Sequence, residues 1–277
     1  MLLPHSLYVI TGANRGFGQA IANAIASKAN HTTTMILVGR QQVSLDNVAN
    51  QIIQKNKNIT TRIISNVSLD SAMAAKETIL KPLETIVTEL QQKEVVPVVT
   101  RAILINNAGS TGDLSKAVSD YEAEEIQSYI DMNIASYITL ISGFIRLFHP
   151  KVEKDTIQPI PPQLSLVNIS SLLAVEPFSN WGLYATGKSA RDMLLRIVAK
   201  EEDEESVRTL SYAPGPLDNE MQQHVRETLG DLDQKKLYTE MANEKKLVSM
   251  EASANKLVEL LHGNTFDSGA HIDFFDP

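Results

Sequence analysis

Tyr184 and Lys188 stand four residues apart in Tyr184-Ala-Thr-Gly-Lys188, at the start of a helical stretch. That spacing puts both side chains on one face of a helix. A free tyrosine titrates near pH ~10, and an ammonium beside it favours the phenolate. Such a pair can pass a proton to an alkoxide as the alkoxide forms. Taken alone the pattern is common. Here Ser170-Ser171 precedes it, at the end of an apolar run that reads as a strand. Open α/β sheets bind ligands outside the carboxyl ends of their strands. A hydroxyl at Ser171, with Ser170 beside it, is therefore placed to hydrogen-bond a substrate carbonyl.

A second motif lies at the N-terminus. Leu7-Tyr-Val-Ile-Thr11 runs into Gly12-Ala-Asn14-Arg15-Gly16-Phe17-Gly18, and a helical pattern follows. Gly12 permits a tight turn, Gly16 lets backbone approach a pyrophosphate, and Gly18 lets the helix pack close to the strand. The helix start then presents free N–H groups and its positive dipole end to phosphates. A purely structural turn would look similar, but its place after the first strand favours a dinucleotide site. The second strand ends at Val38-Gly39 and continues into Arg40-Gln41, with no carboxylate. Arg15 and Arg40 suit the 2′-phosphate of NADP(H); two ordinary surface arginines are the plain alternative. Asn66-Val67 follow the third strand, where they reach an adenine.

The elements that must carry these residues alternate along the chain. Strands are expected over Leu7–Thr11, Met35–Gly39, Arg62–Ser65, Ala102–Asn106, Leu164–Ser170, Val207–Ala213 and Ala270–Phe274. They are rich in Val, Ile and Leu, as strands buried on both faces are. Helical stripes separate them: Phe17, Ile21 and Ile25; Ile79, Leu83, Ile86, Val87 and Leu90; Met193, Leu194, Ile197 and Val198; Leu257, Leu260 and Leu261. Each reads as core packing. The expected fold class is α/β: a single Rossmann-like doubly wound domain over residues 1–277, with a seven-stranded parallel sheet flanked by helices. The proline-rich Pro150–Pro162 reads as a loop before the fifth strand, and the acidic run Glu201–Glu205 as a solvated turn.

Composition narrows the function. A chain of 277 residues with 43% hydrophobic and 21% charged residues is ordinary globular protein. No apolar run approaches the ~20 residues that cross a bilayer. Met1–Ile10 lacks the charged start and apolar stretch of a signal peptide, so a cytoplasmic protein is expected. A net charge of −8 disfavours nucleic-acid partners. There is no cysteine, which excludes disulfides, thiol catalysis and cysteine metal sites. The histidines show no metal-ligand spacing, so no metal is expected. Sequons at Asn30, Asn58, Asn66 and Asn168 read as chance matches, because Asn168 lies in a buried strand.

Thr11-Gly-x-x-x-Gly-x-Gly18, Asn106-Asn-Ala-Gly109, Ser171 and Tyr184-x-x-x-Lys188 together resemble the short-chain dehydrogenase/reductase family, in its order and spacing and across nearly the whole chain. The resemblance implies that Tyr184 donates the proton. It implies that Lys188 binds the nicotinamide ribose and lowers the Tyr184 pKa, and that Ser171 positions the carbonyl. By the same resemblance Asn133 completes a proton relay, and Asn107, Ala108 and Gly109 line the cofactor. The family often has Asp where this chain has Asn66; an amide still contacts adenine.

The likeness is closer to the pterin-reducing members of that family. Thr11–Gly18, Leu104–Ser110, Val167–Ser171, Tyr212-Ala-Pro-Gly-Pro-Leu-Asp218 with Met221-Gln222, and Ser268-Gly-Ala-His-Ile-Asp-Phe-Phe-Asp276 carry it. The implied reaction is NADPH-dependent reduction of pterin side-chain ketones, such as sepiapterin and 6-pyruvoyl-tetrahydropterin, in tetrahydrobiopterin synthesis. Leu217, Met221 and Gln222 join the cofactor site. Asp273 becomes the pterin anchor, because a carboxylate accepts two hydrogen bonds from neighbouring N–H donors of the ring. Gly215 lets backbone approach the substrate, and Phe178, Trp181 and Met221 are candidate walls. His271 reads as structural. A homodimer is implied through Glu122–Phe148 and Trp181–Lys200, and Leu217–Lys246 reads as a candidate lid. The rivals are a general NADPH carbonyl reductase acting on diketones such as benzil, and a sensor that holds NADP(H) without turnover. An extended short-chain epimerase fits neither the glycine spacing nor the length.

Overall fold

Backbone ladders need only N–H and C=O groups, so a strand can begin before its apolar run. A computed structural model describes residues 4–92, 98–149 and 162–277. Its strands are β1 (His5–Thr11), β2 (Thr32–Val38), β3 (Ile59–Ile64), β4 (Arg101–Asn106), β5 (Gln163–Ile169), β6 (Val207–Ala213) and β7 (Ala270–Asp273). Several begin earlier than expected because polar residues at their starts find buried partners. His5 Nε2 meets Thr34 Oγ1 at 2.9 Å, and Ser6 Oγ meets His31 Nε2 at 2.8 Å.

All pairings are parallel, and the seven-stranded order is β3-β2-β1-β4-β5-β6-β7. The order reverses between β1 and β4, and a crevice opens there at the carboxyl ends. The helices are α1 (Gly16–Lys28), α2 (Gln42–Lys55), α3 (72–92), α4 (123–148), α5 (Gly182–Glu201), α6 (Glu220–Thr228), α7 (Leu232–Asn243) and α8 (Met250–Gly263). Both α3 and α4 contain a π-turn, at Lys76–Leu80 and Asp131–Ala135.

Side chains alternate across the sheet. Tyr8 and Ile10 face a core with Ile21 and Ile25 of α1, Leu45 of α2 and Leu257 of α8. Leu7 and Val9 face the opposite core with Leu83 of α3, Phe144 of α4 and Leu195 of α5. A third, smaller cluster of Leu114, Leu173, Trp181, Val225 and Leu229 sits apart from these two. The acidic run after α5 is a turn, in which Glu204 pairs with Arg208 at 3.0 Å. Residues 150–161 of the expected proline-rich loop lie outside the described residues. Asn168 is fully buried in β5, which removes its sequon from any glycosylating enzyme. Among the described residues no helix is long and apolar enough to cross a membrane.

Candidate active site

Gly12 and Gly16 take left-handed backbone, with φ +66° and +57°, which a side chain would strain. A Cβ on Gly16 would meet nothing within 4 Å, so this backbone faces open space. A Cβ on Gly18 would strike the Gly12 carbonyl and come within 2.7 Å of Asn107 Nδ2. Only glycine lets α1 start there. The helix has no capping side chain at Arg15 and no acid in its first turn. Its first N–H groups are therefore free to meet an anion. Gln222 Oε1 is buried without a partner. The uncapped helix, the open glycine face and this orphaned amide fit a dinucleotide.

Several residues expected to touch the cofactor have only backbone to offer it. Phe17, Val67 and Leu217 are buried in the cores, so their side chains are spent on packing. Asn107 turns inward. Its Nδ2 donates to Thr11 O at 3.0 Å and to Gly12 O at 3.3 Å, while Asn107 N and Ala108 N donate to Thr11 Oγ1. It is a clamp between the turn after β4 and the glycine loop. Ala13 N bonds Val38 O at 3.1 Å, which lays the loop against the end of β2. Asn14 Oδ1 would be 3.0 Å from a Cβ on Gly39. Asn66, in left-handed backbone at φ +55°, donates its N–H to Arg40 O at 3.3 Å. Gln41 ends this rim as the N-cap of α2. Arg15 and Arg40 are both exposed, and Arg15 pairs with Glu220 of α6.

The proton-transfer residues converge where α5 starts beside the end of β5. Lys188 is buried, donates to Ile169 O at 2.5 Å, and lies 5.4 Å from the centroid of the Tyr184 ring. Ser171 hydrogen-bonds to Tyr184, and its Oγ accepts Leu173 N at 3.2 Å. Burial pushes the Tyr184 hydroxyl up to about 12, against the opposing pulls of the Ser171 bond and the Arg191 charge. Burial also pushes Lys188 down to about 7, and Arg191 adds to that shift. Burial, rather than any neighbouring charge, sets the direction of the Tyr184 shift. Desolvation disfavours the charged phenolate, and Lys188 Nζ meets the Ile169 carbonyl and the face of the Tyr184 ring.

Asn133 sits in the π-turn of α4, a geometry that often marks functional sites. Its Oδ1 accepts Ser110 N at 3.0 Å, its Nδ2 donates to Tyr129 O at 3.2 Å, and its carbonyl accepts Arg191 Nε at 2.6 Å. These bonds tie it to the turn at Gly109, and none reaches Lys188. Arg191 escaped the sequence reading. The available signal was a charged Arg191-Asp192 pair inside an apolar helical stripe, with Arg191 one turn beyond Lys188. Asp192 is buried and receives Asn168 Nδ2 at 2.8 Å and His271 Nδ1 at 2.6 Å. Ser211 also bonds to it. His271 is thus a structural partner joining β7 to α5.

The ends of β5, β6 and β7 carry Ser171, Gly215 and Asp273. Neighbouring strands are ~4.8 Å apart, so this row spans about 10 Å, the scale of a two-ring heterocycle. Gly215 has φ +75°, and a Cβ there would come within 2.9 Å of Val248 Cγ2 and 3.4 Å of Phe275. Asp273 Oδ1 accepts Phe275 N at 3.0 Å, and its own N–H donates to Asp276 Oδ2 at 2.8 Å. Lys256 donates to Phe274 O at 3.0 Å and steadies this tail. Phe178 and Met221 are 42% and 43% exposed and free to wall a substrate. Trp181 is not, at 4% exposed. It backs the Tyr184 ring at 5.3 Å and donates to Gln234 Oε1 at 3.2 Å. The candidate lid docks beside it through Val225 and Leu229, and Gly230 N bonds Leu114 O at 2.8 Å.

Known proteins are similar to this chain. A short chain dehydrogenase family model matches residues 6–230. Sepiapterin reductase of Meriones unguiculatus is 40% identical over 97% of this chain and 95% of its own. A benzil reductase ((S)-benzoin forming) of Bacillus cereus is 29% identical over 94% and 96%. The crystal structure of L-sorbose reductase from Gluconobacter frateurii, complexed with NADPH and L-sorbose, matches with a TM-score of 0.75 over 98% of this chain and 95% of that one. At 20% identity, that last likeness shows the fold.

Proposed function

The chain belongs to the short-chain dehydrogenase family, and from that footing we propose that it is an NADPH-dependent reductase of pterin side-chain ketones. Its substrates are sepiapterin and 6-pyruvoyl-tetrahydropterin, in tetrahydrobiopterin synthesis. The observation that carries this reading is the meeting of Ser171, Tyr184 and Lys188 at one strand end, with Asp273 at the end of the second strand along. The relatives named sepiapterin reductase support the substrate class.

A nicotinamide cofactor comes with the family. Its NADP form is supported by Arg15, Arg40 and the absence of a carboxylate after β2. The start of α1 and the backbone at Gly16 hold the pyrophosphate, Asn66 and the Val67 backbone meet the adenine, and Lys188 meets the nicotinamide ribose. When bound, the reduced nicotinamide supplies a hydride to the ketone carbon. Asp273 accepts hydrogen bonds from the pterin and aims its side chain. Ser171 and Tyr184 hydrogen-bond the ketone oxygen. Tyr184 then gives its proton to that oxygen, which yields the secondary alcohol and leaves a phenolate. The third apolar cluster, which packs Tyr184 against its edge, keeps bulk water from this exchange.

The same reading has the enzyme working as a cytoplasmic homodimer. Ile138 of α4 with Met193 and Ile197 of α5 are 44%, 53% and 45% exposed, which supports pairing along these two helices. The test is NADPH consumption with sepiapterin and with benzil, for the wild type and Asp273→Asn. A strong preference for sepiapterin, lost mainly in the variant, is the expected result. Equal or better reduction of benzil with an inert Asp273→Asn would make the protein a general carbonyl reductase.

A further inference from the structure

Asp192 is a buried carboxylate on α5, 3% exposed. It lies one turn beyond Lys188 and two turns beyond Tyr184. Its Oδ1 accepts Asn168 Nδ2 at 2.8 Å, and its Oδ2 accepts His271 Nδ1 at 2.6 Å. These partners belong to one rung of the sheet: Asn168 of β5 stands opposite Ser211 of β6, and Ser211 opposite His271 of β7. One carboxylate thus ties the helix of Tyr184 to the strand that ends at Ser171 and to the strand that ends at Asp273. Apolar side chains would fill the same space at less cost, because a buried carboxylate gives up its water. What an apolar contact lacks is a single preferred register, which a buried hydrogen-bonded pair supplies.

Register matters most in β7. It is an edge strand of four half-buried residues, bonded only to β6. A slip of one residue would turn each of its side chains to the other face. Asp273 stands two residues past His271 and on the same face, so the place of one fixes the place of the other. Backbone bonds flank the strand, from Gly269 N to Thr209 O at 2.9 Å and from Phe274 N to Ala213 O at 2.8 Å. Lys256 adds a bond to Phe274 O at 3.0 Å. All of these use main-chain groups, which repeat at every residue and re-form after a slip. The bond from His271 to Asp192 has one place only.

We propose that Asp192 and His271 are positioning residues for ketone reduction: their buried hydrogen bond fixes the register of β7 against α5, and so sets Asp273 at its working distance from Tyr184. Both act through Asp273. The proposal rests on the reading of Asp273 as pterin anchor and of Tyr184 as proton donor.

The test compares wild type, His271→Asn and His271→Leu. Asparagine keeps an N–H near the place of Nδ1; leucine fills the space and donates nothing. The first readout is kcat and KM for two ketones. Sepiapterin has ring N–H donors for Asp273, and benzil has none. In His271→Leu, kcat for sepiapterin should fall about ten- to hundredfold, the scale of a misplacement by ~1 Å. Its KM should change little, because the ring still meets Asp273, and benzil reduction should stay near wild type. His271→Asn should restore most of the sepiapterin rate. The second readout needs no turnover. Amide hydrogen exchange over residues 268–276 should quicken about tenfold in His271→Leu and match wild type in His271→Asn. Equal loss with both ketones, unchanged exchange, or an asparagine variant as slow as the leucine one makes the pair a structural contact and overturns the proposal. If His271→Leu does not fold, His271→Ser, too short to reach Asp192, takes its place under the same readouts. A wild type that reduces benzil and not sepiapterin overturns the pterin reading instead, and the exchange of β7 then decides the register by itself.

Discussion

Lys188 donates its ammonium to the carbonyl of Ile169 at 2.5 Å, which pins the catalytic helix to the end of β5. Ser171 lies two residues past that carbonyl, so one hydrogen bond sets the distance between the hydroxyl proposed to hold the substrate and the tyrosine proposed to protonate it. The lysine reaches Tyr184 only across its ring face.

Tyr184→Phe removes the proposed proton donor and leaves the ring packed against Trp181. Ketone reduction should fall by roughly 10²–10⁴-fold, the usual weight of a general acid. NADPH binding, followed by quenching of Trp181 fluorescence, should stay within a few-fold of wild type. Intact turnover would remove Tyr184 from the mechanism.

Lys188 gives a stability profile with a definite sign. Its folded value of about 7 lies below the ordinary lysine value of about 10.4. Between those limits the unfolded chain holds a proton that the folded protein does not, so stability rises with pH across the window. Below pH ~7 the charge stays buried at a cost. Lys188→Met should therefore raise Tm most below pH 7, and the gain should fade toward pH ~10. Tm curves of both proteins from pH 5 to 10 check this; a constant difference contradicts it.

Two glycines of the same loop should fail differently. Gly18→Ala drives a methyl group into the Gly12 carbonyl and Asn107. It should cost about 1–3 kcal/mol of stability, as overpacking does, and weaken NADPH together with it. Gly16→Ala has open space and pays only for left-handed backbone, about 1–2 kcal/mol. Its larger effect should fall on NADPH affinity, because the added methyl stands where the pyrophosphate must approach. Thermal melts with and without NADPH separate the two.

Cofactor choice should follow the arginines. Arg40→Asp should lower the NADPH over NADH preference by at least about tenfold, since a charge-assisted bond becomes a repulsion. Glu220→Gln frees Arg15 from its carboxylate. An exposed pair is worth little, so NADPH should bind roughly two- to fivefold tighter at low salt, with the gain lost near ~1 M salt. Titrations at both salt levels read the effect. An unchanged cofactor preference in Arg40→Asp would reduce that arginine to a surface residue.

The sequence by itself determined what depends on neighbours along the chain. Alternating apolar runs specify strands, glycines specify the turn between β1 and α1, and spacing of four puts Tyr184 and Lys188 on one helix face, whatever surrounds them. Tertiary structure decided which groups meet across long separations. Asn107 turns to Thr11 and Gly12, Asp192 meets His271, Trp181 closes behind Tyr184, and Arg191 reaches Asn133 and Ala108. Each contact depends on strand order and on how a helix is rotated against the sheet. The direction of the tyrosine shift was hidden for the same reason: spacing shows that a cation stands nearby, whereas the loss of water around the hydroxyl is a property of the packed interior.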